Sequence, residues 1–116
     1  AIGQEWLESC YKTEKYLNQP DKKLILFGAG RMAASYMEAW GDKYRPDYFV
    51  DNNPDKWGEE LMGIPILPPE EILSLTKDER NVWICNINYD AIGRQLDYMG
   101  VSYRCYYDHY YMDHII

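Results

Sequence analysis

The sequence predicts an α/β fold with three layers and a mostly parallel sheet. After a first helical segment, short apolar runs alternate about four times with segments of helical spacing. The chain has 116 residues, of which 47% are hydrophobic, so it can bury one workable core. We therefore expect a single domain over residues 1–116. Right-handed crossovers in a doubly wound sheet of about five strands give the expected strand order 3-2-1-4-5.

The first half of the chain supplies two helices and two strands. Residues 5–18 show the apolar periodicity of an amphipathic helix, which we expect to pack on the domain as an N-terminal helix within residues 1–19. Residues 23–27 are a continuous apolar run typical of a buried strand. A helix should follow over 31–40, ending at a glycine. Residues 48–51 then read as the second strand.

The second half continues the alternation and ends less regularly. Two prolines followed by two glutamates at 68–71 favour the first turn of a helix, because proline suits that position and acids suit its dipole. The remaining predicted elements are a short strand at 64–66, a strand at 81–87, a helix at 89–99, a strand at 101–107 and a final helix at 108–116.

Composition and charge exclude several classes of function. The formal net charge of −7 argues against a nonspecific grip on nucleic acid or on an anionic membrane, since both need basic surface. No apolar run approaches the roughly 20 residues that span a bilayer. The three cysteines form no CxxC pair, and we expect Cys85 and Cys105 to be buried thiols in a reducing, cytoplasmic setting. The first residue is Ala rather than Met, so we expect the chain to be part of a larger protein.

A glycine turn lies between the first predicted strand and the helix after it. The stretch from Gly28 to Ala33 fits the pattern GxGxxA, in which glycines permit a tight turn and a close approach of backbone to a phosphate. The helix that follows would point its first amides and the positive end of its dipole at the turn. Asp51 lies 23 residues after Gly28, where an acid that accepts ribose hydroxyls is expected, and an acid there favours NAD over NADP.

Asn86 and Asn88 stand at the end of the fourth predicted strand, and they should reach the same edge of the sheet as the glycine turn. The alternative for all of these residues is purely local: the glycines serve only the turn, Asp51 caps the turn after it, and Asn88 caps a helix. The candidate ligand-binding residues are Gly28, Ala29, Gly30, Arg31, Met32, Asp51, Asn52, Asn86 and Asn88.

Two stretches, "LILFGAGRMAASYMEAW" and "YFVDNNPDKWGEELMGIPILPPEEI", carry a resemblance to a known group of domains. Together with the following residues to Val101, they resemble the small Rossmann-like domains at the N-terminus of bacterial sugar acyltransferases, in which the glycine turn binds a nucleotide-sugar. Similar domains are fused to glycosyltransferases and methyltransferases. The chain departs from the acyltransferases at Met32, where they often carry His or Ser, and it lacks their catalytic repeats.

The resemblance implies positions for a ligand. By position, the turn from Gly28 to Arg31 would line a phosphate site, and Asp51 and Asn52 would face a ribose or a base. Gly58 and Gly63 would shape the loop beside the second strand.

These observations leave three hypotheses open. The first is a nucleotide or nucleotide-sugar binding module of a sugar- or polysaccharide-modifying transferase, with catalysis supplied by another domain of the same longer chain. The second is the NAD-binding part of an oxidoreductase or epimerase. The third is a ligand-free scaffold that forms homo-oligomers through a tyrosine-rich C-terminal end. None of the three assigns a catalytic residue to this domain.

The C-terminal end is rich in tyrosine and carries both histidines of the chain. Crowded tyrosines suit an interface, although plain core packing would also account for them. His109 and His114 are five residues apart, which on a helix places them about 140° apart, so we predict no metal site there. The tyrosines in question are Tyr103, Tyr106, Tyr107, Tyr110 and Tyr111, and the histidines stand beside Asp108 and Asp113.

Overall fold

The computed structural model describes residues 2–106, with side chains from Cys10 onward. The helices are α1 (Ile2–Leu17), α2 (Arg31–Trp40) and α3 (Tyr89–Met99). The strands are β1 (Lys23–Phe27), β2 (Tyr48–Val50), β3 (Glu60–Leu61), β4 (Ile64–Leu67), β5 (Arg80–Ile84) and β6 (Arg104–Cys105). Short 3₁₀ helices lie at Pro54–Lys56, Pro69–Ser74 and Lys77–Glu79.

The six strands form one sheet in the order β3-β4-β2-β1-β5-β6. Strand β1 pairs in parallel with β2 on one side and β5 on the other, and only the β3–β4 pair is antiparallel. Apart from the β3 hairpin, this order is the predicted 3-2-1-4-5, so the fold prediction is confirmed. From β1 the chain adds strands on one side of the sheet, and it then returns past β1 to place β5 and β6 on the other side. In a sheet of this kind, a crevice opens at the carboxyl ends of the two strands where the order changes direction, here β1 and β5.

Alternate side chains of the central strand β1 are buried on opposite faces of the sheet. Leu24 and Leu26 pack in a core cluster with α2 and the end of α1, whereas Ile25 and Phe27 pack in a second cluster with α3. Successive side chains of a strand point to opposite faces, and a central parallel strand is covered on both. This is why the run of four apolar residues shows no polar alternation.

Helix α1 is tied to the domain near its C-terminal end. The Glu14 carboxylate accepts hydrogen bonds from the Lys43 ammonium and the Tyr44 hydroxyl, and the hydrogen bond from Lys43 lowers the pKa of that carboxyl. The buried amide of Asn81 donates to the carbonyl oxygen of Tyr16 at 3.0 Å. Leu17 is buried in the α2-side cluster.

The predicted helix at 68–71 is wrong in type. The chain forms a 3₁₀ helix over Pro69–Ser74 instead. Only two of its residues, Pro69 and Ile72, are buried, which gives too narrow an apolar face to support a longer α-helix. The Arg80 guanidinium donates to the carbonyl oxygens of Ile72 and Leu75, and so fixes the end of this short crossover.

The last strand is also shorter than predicted. Gly100 adopts a left-handed conformation (φ 75°), and the amide of Val101 donates a hydrogen bond to the Leu96 carbonyl. Val101, where the strand was expected to begin, therefore belongs to the C-terminal cap of α3. Cys105 lies on this short edge strand and is exposed, which corrects the expectation of a buried thiol, whereas Cys85 is buried. The predicted final helix at 108–116 lies outside the described residues.

Two of the five C-terminal tyrosines are described, and both pack on the domain. Tyr106 is buried and meets Tyr36 edge to face, with ring centroids 5.3 Å apart. Tyr103 is half-buried against the α3-side cluster. Core packing therefore accounts for these two residues, while Tyr107, Tyr110 and Tyr111 lie outside the described residues.

Removing the Tyr36 hydroxyl should destabilise the fold. This hydroxyl donates to the Tyr44 carbonyl at 2.7 Å, and burial raises the pKa of the phenol. Tyr36→Phe keeps the ring but leaves a carbonyl without its donor, so we expect the free energy of unfolding to fall by about 1–2 kcal/mol in urea titrations. Tyr98→Phe, the same change at a 94% exposed residue, should have no effect. Equal losses in both variants would contradict the assignment.

Candidate functional site

The first glycine of the turn is required by packing. Gly28 has a φ of +118°, and a Cβ at this position would lie 2.5 Å from the Cys85 carbonyl oxygen. Its own amide donates to the Val50 carbonyl at 2.8 Å. Gly28 therefore joins the ends of β1, β2 and β5, and its role is structural whether or not a ligand is present.

The second glycine faces open space. A Cβ on Gly30 would have the Lys56 ammonium nitrogen, at 4.0 Å, as its nearest neighbour. Helix α2 begins at the next residue, and no side chain caps its first amides. An uncapped helix start under an open glycine leaves room for an anion at the positive end of the helix dipole.

The carboxylate of Asp51 holds the turn in place. Its Oδ2 accepts a hydrogen bond from the Ala29 amide at 2.9 Å, and its Oδ1 accepts one from the Asn53 amide at 2.8 Å. The side chain is only 15% exposed. Each carboxylate oxygen can accept a further hydrogen bond, so Asp51 can hold the turn and still accept a hydroxyl of a ligand.

Lys56 is a site residue that the sequence reasoning missed. Its ammonium donates to the Ala29 carbonyl at 3.2 Å and lies 3.9 Å from Asp51 Oδ2. It therefore places a positive charge beside Gly30, where the glycine turn would receive a phosphate. The available signal was the dense turn after Asp51, in which Asn53 and Pro54 start a 3₁₀ helix that ends at Lys56.

A cavity of about 260 Å³ opens beside the turn, between the carboxyl ends of β1, β2 and β5 and helix α3. It contains five of the nine candidate residues, while Ala29, Gly30, Arg31 and Met32 lie outside its lining. The Met32 side chain is buried in the α2-side core, so only its backbone could face a ligand, and Arg31 is exposed. The lining residues are Phe27, Gly28, Asp51, Asn52, Asn86, Asn88, Ala91, Ile92 and Gln95.

Asn86 and Asn88, the two asparagines after β5, have different roles in the structure. The Oδ1 of Asn86 accepts the Asn88 amide at 2.8 Å, so Asn86 forms the turn. Asn88 stands at the start of α3 but makes no side-chain capping bond. Its carboxamide is therefore not committed to the helix, and it lines the cavity.

Asn52 and Gln95 form a reciprocal amide pair at the cavity wall. Asn52 Nδ2 donates to Gln95 Oε1 at 2.8 Å, and Gln95 Nε2 donates to Asn52 Oδ1 at 2.9 Å. The sequence reasoning missed Gln95. Its signal was helical spacing, since Gln95 lies seven residues after Asn88 and so on the same face of α3.

Among the side chains described, those of residues 10–106, no group of three or more potential metal ligands comes together. No helix within residues 2–106 is long and apolar enough to cross a bilayer. The side chains of Met32 and Tyr36 point into the core rather than filling the cavity, which leaves the cavity open.

Comparison with known proteins supports the fold. No protein-family model matches the chain, and a search of the curated proteins found no significant match. Among solved structures, UDP-D-quinovosamine 4-dehydrogenase from Vibrio fischeri superposes with a TM-score of 0.57 at 20% sequence identity, over 81% of this chain and 84% of that one. The fold is Rossmann-like. The specific resemblance to sugar acyltransferases is not confirmed by these comparisons.

The two glycines of this Rossmann-like turn should respond differently to alanine. Gly28→Ala forces a side chain against the Cys85 carbonyl at positive φ, so we expect the free energy of unfolding to fall by about 3 kcal/mol or more. Gly30→Ala meets no close neighbour and should cost about 1 kcal/mol or less. Urea unfolding of both variants measures the difference, and similar losses would show that the structure assigns the wrong role to one glycine.

Proposed function

We propose that this domain binds a nucleotide-type ligand, with a diphosphate over the glycine turn and a ribose or base in the adjoining cavity. The observation that carries the proposal is the open space above Gly30, with the uncapped start of α2 on one side and the Lys56 ammonium on the other. Both groups attract an anion, and neither Gly30 nor the uncapped amides are explained by packing within residues 2–106.

The diphosphate would be held by backbone and by one lysine. The first amides of α2 donate to phosphate oxygens, and the helix dipole adds a favourable field. The Lys56 ammonium already donates to the Ala29 carbonyl, so a small rotation of its side chain brings it onto a phosphate. A hydrogen bond between charged groups is roughly twice as strong as one between neutral groups, which makes Lys56 the strongest single contact.

The rest of the ligand would extend into the cavity. Its volume of about 260 Å³ is just below the range of typical ligand pockets, ~300–1,000 Å³, so it suits one part of a nucleotide rather than the whole. Asp51 offers an acceptor for ribose hydroxyls, and its charge disfavours a 2′-phosphate. Asn88 and the Asn52–Gln95 pair offer both donors and acceptors for a base or a sugar.

The class of nucleotide separates two candidate functions. The structural neighbour is named as a dehydrogenase of a UDP-linked sugar, and its fold likeness favours a nucleotide-sugar or a dinucleotide such as NAD as the ligand. It favours an oxidoreductase as the larger protein, and nothing in the comparisons supports a transferase. In either case this domain would orient the ligand, and a catalytic domain of a longer chain would supply the chemistry.

Replacing Lys56 should weaken binding without unfolding the domain. We expect Lys56→Met to raise the Kd of the ligand about tenfold, because it removes a side-chain cation that its bond to the Ala29 carbonyl holds beside Gly30. Calorimetric titration with NAD, NADP, UDP, a UDP-sugar and coenzyme A identifies the ligand class in the unmodified protein. Lys12→Met, which removes an exposed lysine of α1, is the matched control and should leave the Kd unchanged.

A second variant tests the site without relying on Lys56. Gly30→Asp puts a carboxylate into the proposed phosphate position and should abolish binding. No heat with any of the five ligands at millimolar concentration would overturn the proposal and favour the ligand-free scaffold. Binding that survives in Gly30→Asp would place the ligand elsewhere on the domain.

A further inference from the structure

The reciprocal amide pair of Asn52 and Gln95 joins two walls of the cavity. Asn52 follows β2, Gln95 lies in α3, and both residues line the cavity. Their two hydrogen bonds, of 2.8 and 2.9 Å, use one N–H and one oxygen lone pair of each carboxamide. Within residues 10–106 neither carboxamide makes another hydrogen bond. Because a carboxamide has two N–H donors and an oxygen with two lone pairs, each keeps a donor and an acceptor for a ligand.

The pair lies at the end of the cavity that is farther from the start of α3. Gln95 comes seven residues after Asn88, which also lines the cavity, so the two residues lie about 10 Å apart along the helix axis. Asp51 lies nearer the glycine turn, because its carboxylate accepts the Ala29 amide. The groups that follow one another from the turn are therefore an anion site, a carboxylate and the amide pair. A nucleotide carries its phosphates, ribose and base in the same order.

Reciprocal bonding makes the two amides act as one unit. Turning over one carboxamide alone would bring N–H against N–H and oxygen against oxygen, so both hydrogen bonds would be lost. Turning over both together exchanges each donor for an acceptor and keeps both bonds. The pair can therefore offer a ligand an adjacent donor and acceptor in either order, but not two donors or two acceptors.

We propose that the Asn52–Gln95 pair recognises the hydrogen-bonding edge of a pyrimidine base, and that it accepts uracil and cytosine alike. This inference rests on the proposed function, since it needs a nucleotide in the cavity. The cavity volume of about 260 Å³ lies below the range typical of ligand pockets, which favours a pyrimidine, the smaller class of base. Uracil has a carbonyl oxygen beside a ring N–H, whereas cytosine has an amino group beside a bare ring nitrogen. The two edges have opposite order, and a joint turn of both amides satisfies either one.

The first test compares UDP and CDP with inorganic pyrophosphate by calorimetric titration. Gln95→Met keeps a side chain of similar length but removes the donors and the acceptor of one amide. We expect it to raise the Kd of both nucleotides about tenfold, because the base loses its bond to residue 95 and the fixed orientation of Asn52. The Kd of pyrophosphate, which has no base, should stay unchanged. Asn18→Ala, which removes an exposed amide outside the cavity, is the control and should change none of these values.

Two isosteric variants test the joint turn of the amides. Asn52→Asp leaves only acceptors on one side of the pair, and Gln95→Glu leaves only acceptors on the other, so each variant fixes one order. Uracil and cytosine carry their donors at different positions of the same edge. We therefore expect UDP and CDP to bind the unmodified protein with Kd values within about threefold of each other, and the ratio of the two to shift about tenfold in opposite directions in the two variants. The added charge acts on both nucleotides alike and cancels in the ratio.

These titrations separate the failure of this inference from that of the proposed function. If pyrophosphate and both nucleotides fail to bind the unmodified protein, the glycine turn holds no phosphate and both proposals are wrong. Other outcomes overturn the role of the amide pair alone. They are nucleotides that bind no more tightly than pyrophosphate, a nucleotide Kd that Gln95→Met leaves unchanged, and a ratio that moves in the same direction in both isosteric variants. Urea unfolding of each variant shows that the loss of binding is not a loss of fold.

Discussion

The carboxylate of Asp51 connects the parts of the candidate site to one another. It stands at the carboxyl end of β2, accepts the Ala29 amide of the turn after β1, and accepts the Asn53 amide of the turn after itself. Through Asn53 it also fixes the 3₁₀ helix that brings Lys56 back over the glycine turn. Removing this carboxylate would take away the acceptor of both the Ala29 and the Asn53 amides, and with it the side-chain link between the two turns.

This network separates two roles that the glycine pattern combines. Gly28 is needed because three strand ends approach one another too closely for a side chain. Gly30 has no such neighbour, and the space above it lies between an uncapped helix start and an ammonium group. The second glycine stands at the N-cap position of α2 and leaves open the space in which we propose that the phosphate binds.

Local patterns in the sequence predicted the fold well where they were strong. The bounds of β1, α2 and α3 match the prediction because each combines a clear apolar pattern, a continuous run in β1 and helical spacing in α2 and α3, with a glycine at its end. The crossover at Pro69–Ser74 was misjudged, since proline and acids are compatible with the first turn of an α-helix and of a 3₁₀ helix alike. The two-residue strand β3 is defined by its partner rather than by its own residues, so no local pattern marked it, and β6 is shorter than the strand predicted at 101–107.

The candidate site was predictable in its glycine turn and in the polar residues that follow the strand ends. The glycine turn and Asp51 were found by their spacing along the chain. Lys56 and Gln95 reach the site across gaps of 27 and 43 residues from their partners, Ala29 and Asn52, and a single sequence does not reveal such contacts.

Mapping a bound nucleotide on the domain by ¹⁵N NMR shows whether the space over Gly30 receives a phosphate. We expect UDP, or the ligand that calorimetry identifies, to shift the amides of Gly30, Arg31 and Met32 most strongly, together with Asn88 at the cavity. If the ligand binds but perturbs a different surface and leaves these amides unchanged, the glycine turn is only a structural turn and no phosphate binds over Gly30.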